Sequence, residues 1–190
     1  TAFEHHAVLH TLEKMEKEGF EITLLDVRNN HNITAQQVKD AIRPDTCLVT
    51  TMYANNEIGS VLPIPEIGAI CKEAGVPFHT DAVQGFLKIP FQAKTLGADL
   101  ISVSSHKVHG PKGAGALYIS PRLRSFPALL LGGGQESGMR SGTEGTPAIF
   151  GFAAACKAGF ETFRADISRE KELLDQLVEE LCKLDGLRIN

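Results

Sequence analysis

Apolar positions recur along this chain with two periods, and the periods alternate. From His6 to Glu18 they fall at Val8, Leu9, Leu12 and Met15, a spacing of three and four that predicts a helix ended by Gly19. Phe20 to Val27 reads as a strand. Thr34 caps a predicted short helix carrying Val38, Ala41 and Ile42, with Pro44 just beyond. Cys47 to Tyr53 is a continuous, mostly apolar and β-branched run, as expected of a strand covered on both faces. Pro63 to Ala74 predicts a helix opened by prolines and closed by Gly75. Val76–Thr80, Asp99–Ser104 and Gly115–Ser120 read as three further strands, and Ala128–Gly145 as a glycine-rich loop. From Thr146 a helical pattern runs to about Lys183. Its second half aligns Leu173, Leu174, Leu177, Val178, Leu181 and Leu184 on one face. Leu187 to Ile189 reads as the start of another strand.

Strands alternating with helices predict an α/β domain whose mostly parallel sheet is flanked by helices. After Cys156 the composition shifts from glycine and small apolar residues to Glu, Lys, Arg and Leu. We therefore divide the chain into residues 1–155, the central part of a large domain, and 156–190, a linking helix and the start of a smaller C-terminal domain. The first residue is Thr1 and the last is Asn190, so the sequence reads as a piece of something longer.

Composition narrows the function. Apolar residues make up 43% of the 190 and charged residues 22%, an ordinary globular balance. Nineteen Lys+Arg against 23 Asp+Glu give a net charge of -4, without the basic surplus of a nucleic-acid binder. The longest apolar run, Ala148–Cys156, is far short of the roughly 20 residues that span a bilayer. Cys47, Cys71, Cys156 and Cys182 form no CxxC pair and sit among apolar neighbours, which points to buried thiols in a reducing, cytoplasmic setting. His79, His106 and His109 lack metal-ligand spacing, so no metal site is expected.

In an open α/β sheet, ligands bind beyond the carboxyl ends of the strands. Polar residues collect at those ends here: Asn55-Asn56-Glu57, then Asp81 and Gln84, then Ser104-Ser105-His106-Lys107. A lysine attacks a carbonyl only as the free amine, a form favoured by burial or by a neighbouring cation. Lys107 is expected to find both in a cleft floor and His106; the competing reading is a solvated lysine at a strand end. Lys112, in a Gly-Pro-Lys-Gly turn, serves as the exposed control. A carboxylate at Asp81 suits a pyridinium N–H, and it equally suits a turn cap. His5 and His6 precede the first helix, where a histidine either stacks on an aromatic cofactor and passes protons or merely starts the helix. Gly132–Gly145 holds six glycines among fourteen residues. Its backbone N–H groups, with Arg140, Ser141 and Thr143, suit a phosphate; a flexible surface loop is the alternative. The spacing is neither GxGxxG nor that of a P-loop.

Six segments in order carry a resemblance: Glu4-His-His-Ala-Val8, Asn55-Asn-Glu-Ile-Gly59, His79-Thr-Asp-Ala-Val-Gln84, Ser104-Ser-His-Lys-Val-His-Gly-Pro-Lys-Gly113, Gly132-Gly-Gly-Gln-Glu136 and Arg140-Ser-Gly-Thr-Glu144. The chain resembles the large domain of pyridoxal-phosphate enzymes of the cysteine desulfurase and selenocysteine lyase family (nitrogen-fixation type), within the class V aminotransferases. The resemblance implies the fold-type I transferase architecture and pyridoxal 5'-phosphate as cofactor. It implies that Lys107 carries the cofactor covalently and shuttles protons, and that Asp81 pairs with the ring nitrogen. His5 would stack on the ring, Asn56 and Gln84 would bond its hydroxyl oxygen, and Ser104 and His106 would hold the phosphate. Thr143 would reach the phosphate of a second subunit, making a homodimer.

The implied reaction takes sulfur from L-cysteine, leaving L-alanine and a persulfide that feeds an iron–sulfur scaffold or another acceptor protein. Ser105 stands where this family often has glycine, and His109 and Gly145 also replace commoner choices. The family's sulfur-accepting cysteine and substrate-carboxylate arginine lie downstream of Asn190, so the 190 residues alone are expected to be inactive. A selenocysteine lyase, another class V aminotransferase and a non-enzymatic phosphate-ligand domain are the rival readings.

Overall fold

The computed structural model describes residues 1–27, 32–123, 127–187 and 189. Helix α1 (His6–Lys17) follows the expected spacing, but Val8, Leu9, Leu12 and Met15 are only half-buried. Helix α2 (Ala35–Ala41) opens with a full capping box: Thr34 accepts from the Gln37 N–H, and Gln37 Oε1 accepts from the Thr34 N–H at 2.8 Å. Strand β1 (Val49–Met52), helix α3 (Ile64–Ala74), strand β2 (Phe78–Asp81), helix α4 (Ala93–Leu96), strand β3 (Leu100–Ser104) and strand β4 (Gly115–Ile119) follow. Helix α5 (Thr146–Leu181) is a single rod of 36 residues.

The sheet has the order β1-β2-β3-β4, with β1, β2 and β3 parallel and β4 antiparallel to β3. Strand alternation divides β2 between two faces. Phe78 and Thr80 are fully buried with Ile64, Ile67 and Cys71 of α3. His79 and Asp81 point the other way and stay half-buried. At the amino end of the sheet, Asp99 accepts from the Phe78 N–H (3.0 Å), the Ser120 hydroxyl (3.0 Å) and Arg122 Nε (2.8 Å). Burial alone would raise the Asp99 carboxyl, but the Arg122 guanidinium and the Phe78 and Ser120 bonds outweigh it and hold it below 3.8. This ties β2, β3 and the turn after β4 together, far from the strand ends where ligands bind.

One expectation is corrected here. Phe20–Val27 forms no strand: its backbone ties among the described residues are the Phe20 N–H to the Met15 carbonyl at 3.1 Å, which closes α1, and the Ala2 N–H to the Leu25 carbonyl at 2.9 Å, and a ladder needs a partner along its length. Phe20 and Leu24 are accordingly exposed. The leucines of α5 line one face of a helix, and Leu173, Leu174 and Leu177 are each about half exposed there. The division at 155/156 falls inside α5, which runs through it unbroken. The expected strand at Leu187–Ile189 includes Arg188, outside the described residues. No helix among the described residues is long and apolar enough to cross a membrane.

Candidate active site

Beyond β1 the chain makes a tight hairpin. Asn55 Oδ1 accepts from the Glu57 and Ile58 N–H groups, each at 2.9 Å, and the Asn55 N–H donates to the Ser60 carbonyl. Asn56 sits exposed on its tip. The buried Asn55 also ties this hairpin to the segment carrying His5: its Nδ2 donates to the Phe3 carbonyl at 2.9 Å. Next to it, buried Glu4 accepts from the Met52 N–H at 2.9 Å. Two consecutive residues before His5 are thus pinned to the carboxyl end of β1. His5 Nδ1 accepts from the Ala7 N–H at 3.1 Å and caps α1, which leaves Nε2 outward.

Asp81 ends β2. Its Oδ1 accepts from the Val83 N–H at 3.0 Å, and its Oδ2 has no hydrogen-bond partner among the described residues. Gln84 lies in the turn that follows, where its Oε1 accepts from Lys88 Nζ at 3.0 Å and its Nε2 keeps both donors. Met52, Asp81 and Ser102 stand side by side in register. Ser104, two residues past Ser102, therefore projects from the same face as Asp81. Ser104 Oγ and His106 Nδ1 share a hydrogen bond at 2.8 Å.

Ser105–Val108 forms a 3-10 turn in which Ser105 and Val108 are buried. Side chains three apart eclipse in such a turn, so His106 and Lys107 between them face outward. The expected burial of Lys107 in a cleft floor is corrected on this ground. His109 closes the turn in the left-handed conformation at φ 65°.

A row the sequence did not announce crosses this face. His79 Nδ1 shares a hydrogen bond with Thr50 Oγ1 at 2.7 Å, and Nε2 with Ser102 Oγ at 2.9 Å. Burial pushes the His79 imidazole below 6.5, against the opposing fields of Asp81 and Glu4. A neutral ring donates from one nitrogen and accepts at the other, which the two hydroxyls accommodate. The only sequence sign of this row was that His79 shares a face with Asp81. The Asn55 and Glu4 ties left no sign at all, since each reaches about fifty residues along the chain.

Seven of the expected residues (His5, Asn56, Asp81, Gln84, Ser104, His106 and Lys107) therefore stand at the carboxyl ends of β1, β2 and β3. Thr143 does not join them. It is exposed on the glycine-rich loop, bordering a cavity of about 690 Å³ between that loop, β4 and the start of α5. A separate apolar groove of about 500 Å³, walled by Phe86, Phe91, Phe160 and Phe163, contains none of the eight. The donor and acceptor set at the strand ends fits pyridoxal phosphate. Asp81 offers a carboxylate oxygen with no partner among the described residues to a ring N–H, while Ser104 and His106 suit an anion.

The aminotransferase class-V family matches residues 1–190. The mitochondrial cysteine desulfurase of Saccharomyces cerevisiae is 47% identical over 192 aligned residues, covering 100% of this chain and 38% of that protein. The solved structure of SspA in complex with cysteine is 45% identical, with a TM-score of 0.80 over 83% of this chain and 46% of its own. The crystal structure of DndA from Streptomyces lividans is 34% identical, with a TM-score of 0.89 over 97% of this chain and 53% of its own. The chain thus spans about half or less of the length of these relatives. Their likeness agrees with the transferase architecture the resemblance implies.

Proposed function

Because this chain belongs to the aminotransferase class-V family, we propose that it forms the cofactor-holding core of a pyridoxal-phosphate-dependent cysteine desulfurase. The observation that carries the reading is the convergence of Asp81, Ser104 and the Ser105–Val108 turn at one end of a parallel sheet, on strands held in register. When bound, pyridoxal phosphate supplies an electron sink for the carbanion formed on the substrate amino acid. Asp81 keeps the ring nitrogen protonated through its free oxygen. Asn56 and Gln84 donate to the ring hydroxyl oxygen. Ser104 and His106 hold the phosphate, and the bond between them orients both. Lys107 anchors the group covalently, and its outward position lets its amine reach the substrate and carry a proton to and from it. His5 would stack on the ring, and with Nδ1 engaged by the Ala7 N–H its Nε2 would exchange the proton. Thr143 of a second copy completes the phosphate contacts, so the working unit is a homodimer.

L-cysteine is the substrate: its Cβ–Sγ bond breaks, sulfur passes to an accepting thiolate as a persulfide, and the carbon skeleton leaves as L-alanine. The four cysteines here are free. Burial pushes the Cys71 thiol up to about 11 and raises Cys156, so neither is a ready thiolate. Cys47 and Cys182 are exposed, against the expected burial, but they lie before β1 and just past α5, not at the carboxyl ends of the strands; the reading therefore assigns the accepting cysteine to the longer protein, which passes its sulfur to an iron–sulfur scaffold or another acceptor. A reducing compartment such as the cytoplasm suits the free thiols.

Incubation with pyridoxal phosphate, borohydride reduction and peptide mapping test the reading. An adduct on Lys107 is expected, and an adduct on Lys112 alone would overturn it. Alanine release from cysteine by the longer protein, compared with selenocysteine, separates the desulfurase from a lyase.

A further inference from the structure

The glycine-rich loop between β4 and α5 is closed on itself. Leu130 and Arg140 lie paired, the Ser141 N–H donates to the Leu130 carbonyl at 3.1 Å, and Ser141 is buried beneath. Inside the closure Glu136 and Ser137 hold φ of 51° and 58°. L-residues keep that left-handed conformation only where their surroundings impose it. Gln135 supplies the cross-tie. Its Oε1 accepts from the Gly142 N–H at 3.1 Å. Its amide lies over Gly133, where a Cβ would stand 3.0 Å from both terminal atoms. Gly142 itself stands at φ 127°, a backbone conformation that residues with a side chain rarely adopt, with Arg140 Nη1 reaching to 2.6 Å from where a Cβ would lie. The next residue is the exposed Thr143.

We propose that Gln135 is a positioning residue: by holding Gly142 it fixes where Thr143 presents its hydroxyl and N–H to a phosphate. The proposal rests on the reading of Thr143 given above and adds the part that holds it in place. The residue type fits the task. A neutral amide ties Gly142 and packs flat on Gly133, whereas a carboxylate would tie Gly142 equally well but set a negative charge beside the anion.

The test combines backbone relaxation with ligand binding in the protein. In Gln135→Met, of similar length but without the acceptor, order parameters at Gly142 and Thr143 should fall from about 0.85 to below about 0.6, and in Gln135→Glu they should not. The Kd for pyridoxal phosphate should rise about tenfold in Gln135→Met and in Thr143→Ala, with no further rise in the double variant. Binding of pyridoxal, which has no phosphate, should not change in any of them. Unchanged order parameters in Gln135→Met would remove the tie and overturn the proposal. A loosened loop with undiminished affinity, where Thr143→Ala does weaken binding, would overturn the positioning role. No effect of Thr143→Ala would overturn the reading of Thr143 and the proposal with it, while the tie would still register in the relaxation data.

Discussion

His79 stands two residues before Asp81 on one face of β2, with a hydroxyl on each ring nitrogen. Its folded value lies below 6.5 because burial disfavours the cation, so the unfolded chain takes up a proton first as the pH falls. Its contribution to stability is therefore present above 6.5 and lost as the pH drops through the folded value. Urea unfolding at about pH 7.5 and about pH 5.5 should show a larger loss in the native chain than in His79→Gln, which cannot titrate. Asp99, held below 3.8, acts in a more acid window and does not confuse the comparison.

A second residue-scale case is Ser105. Its hydroxyl is buried, has no hydrogen-bond partner among the described residues, and stands 2.1 Å from where a Cβ on Gly110 would lie. Gly110→Ala should cost about 2 kcal/mol by overpacking. Ser105→Ala should leave the urea midpoint unchanged or raised, since an unsatisfied hydroxyl costs about 1–3 kcal/mol to bury. The sequence exposed Ser105 as unusual against the family pattern, but only the close approach of Gly110 explains what the hydroxyl meets. The chemistry of Asp81, Ser104 and Lys107 was legible because strand ends place it by topology. The outward turn of Lys107 was not, because it depends on a 3-10 turn that periodicity does not announce.

At the scale of elements, the chain reads well where a segment carries its own signals. Thr34 with Gln37, and Gly75 in the left-handed conformation at φ 72°, mark α2 and α3 within a residue or so. It reads poorly where an element depends on a distant partner, as Phe20–Val27 does. The contact between α3 and the end of α4 is of this second kind. A Cβ on Gly68 would stand 2.8 Å from the Gly97 carbonyl oxygen, backbone against backbone. Alanine gains about 1 kcal/mol of helix propensity over glycine. An overlap that no rotamer can relieve costs about 3 kcal/mol. Gly68→Ala should therefore lower stability by about 2 kcal/mol, read as a lower urea midpoint with unchanged slope.

For the whole molecule, the most exposed apolar residues lie on the glycine-rich loop and the start of α5. Leu129 and Leu131 are 92% and 88% exposed at the base of the glycine-rich loop, and Phe150 is 76% exposed on the first turns of α5. Isolated exposed leucines mean little, but a cluster beside the proposed two-subunit contact predicts self-association. Sedimentation should show a concentration-dependent species heavier than 20.5 kDa, which Leu129→Glu with Leu131→Glu shifts back toward the monomer. A monomer at all concentrations would sink the shared-site reading of Thr143.

Helix α5 has a mechanical consequence. Its first turns pack against the Ser105–Val108 turn, and Gly151 leaves so little room that a Cβ there would stand 2.9 Å from Pro111. Phe160 and Phe163 still wall a groove with Phe86, and from there to Leu181 the helix carries on as a rod of about 27 Å at 1.5 Å per residue. A beam clamped at one end and loaded at the other multiplies displacement: a five-degree tilt (about 0.09 rad) at the grip sweeps the tip by about 2 Å. Whatever leans on Leu181 therefore has leverage on the lysine-bearing turn.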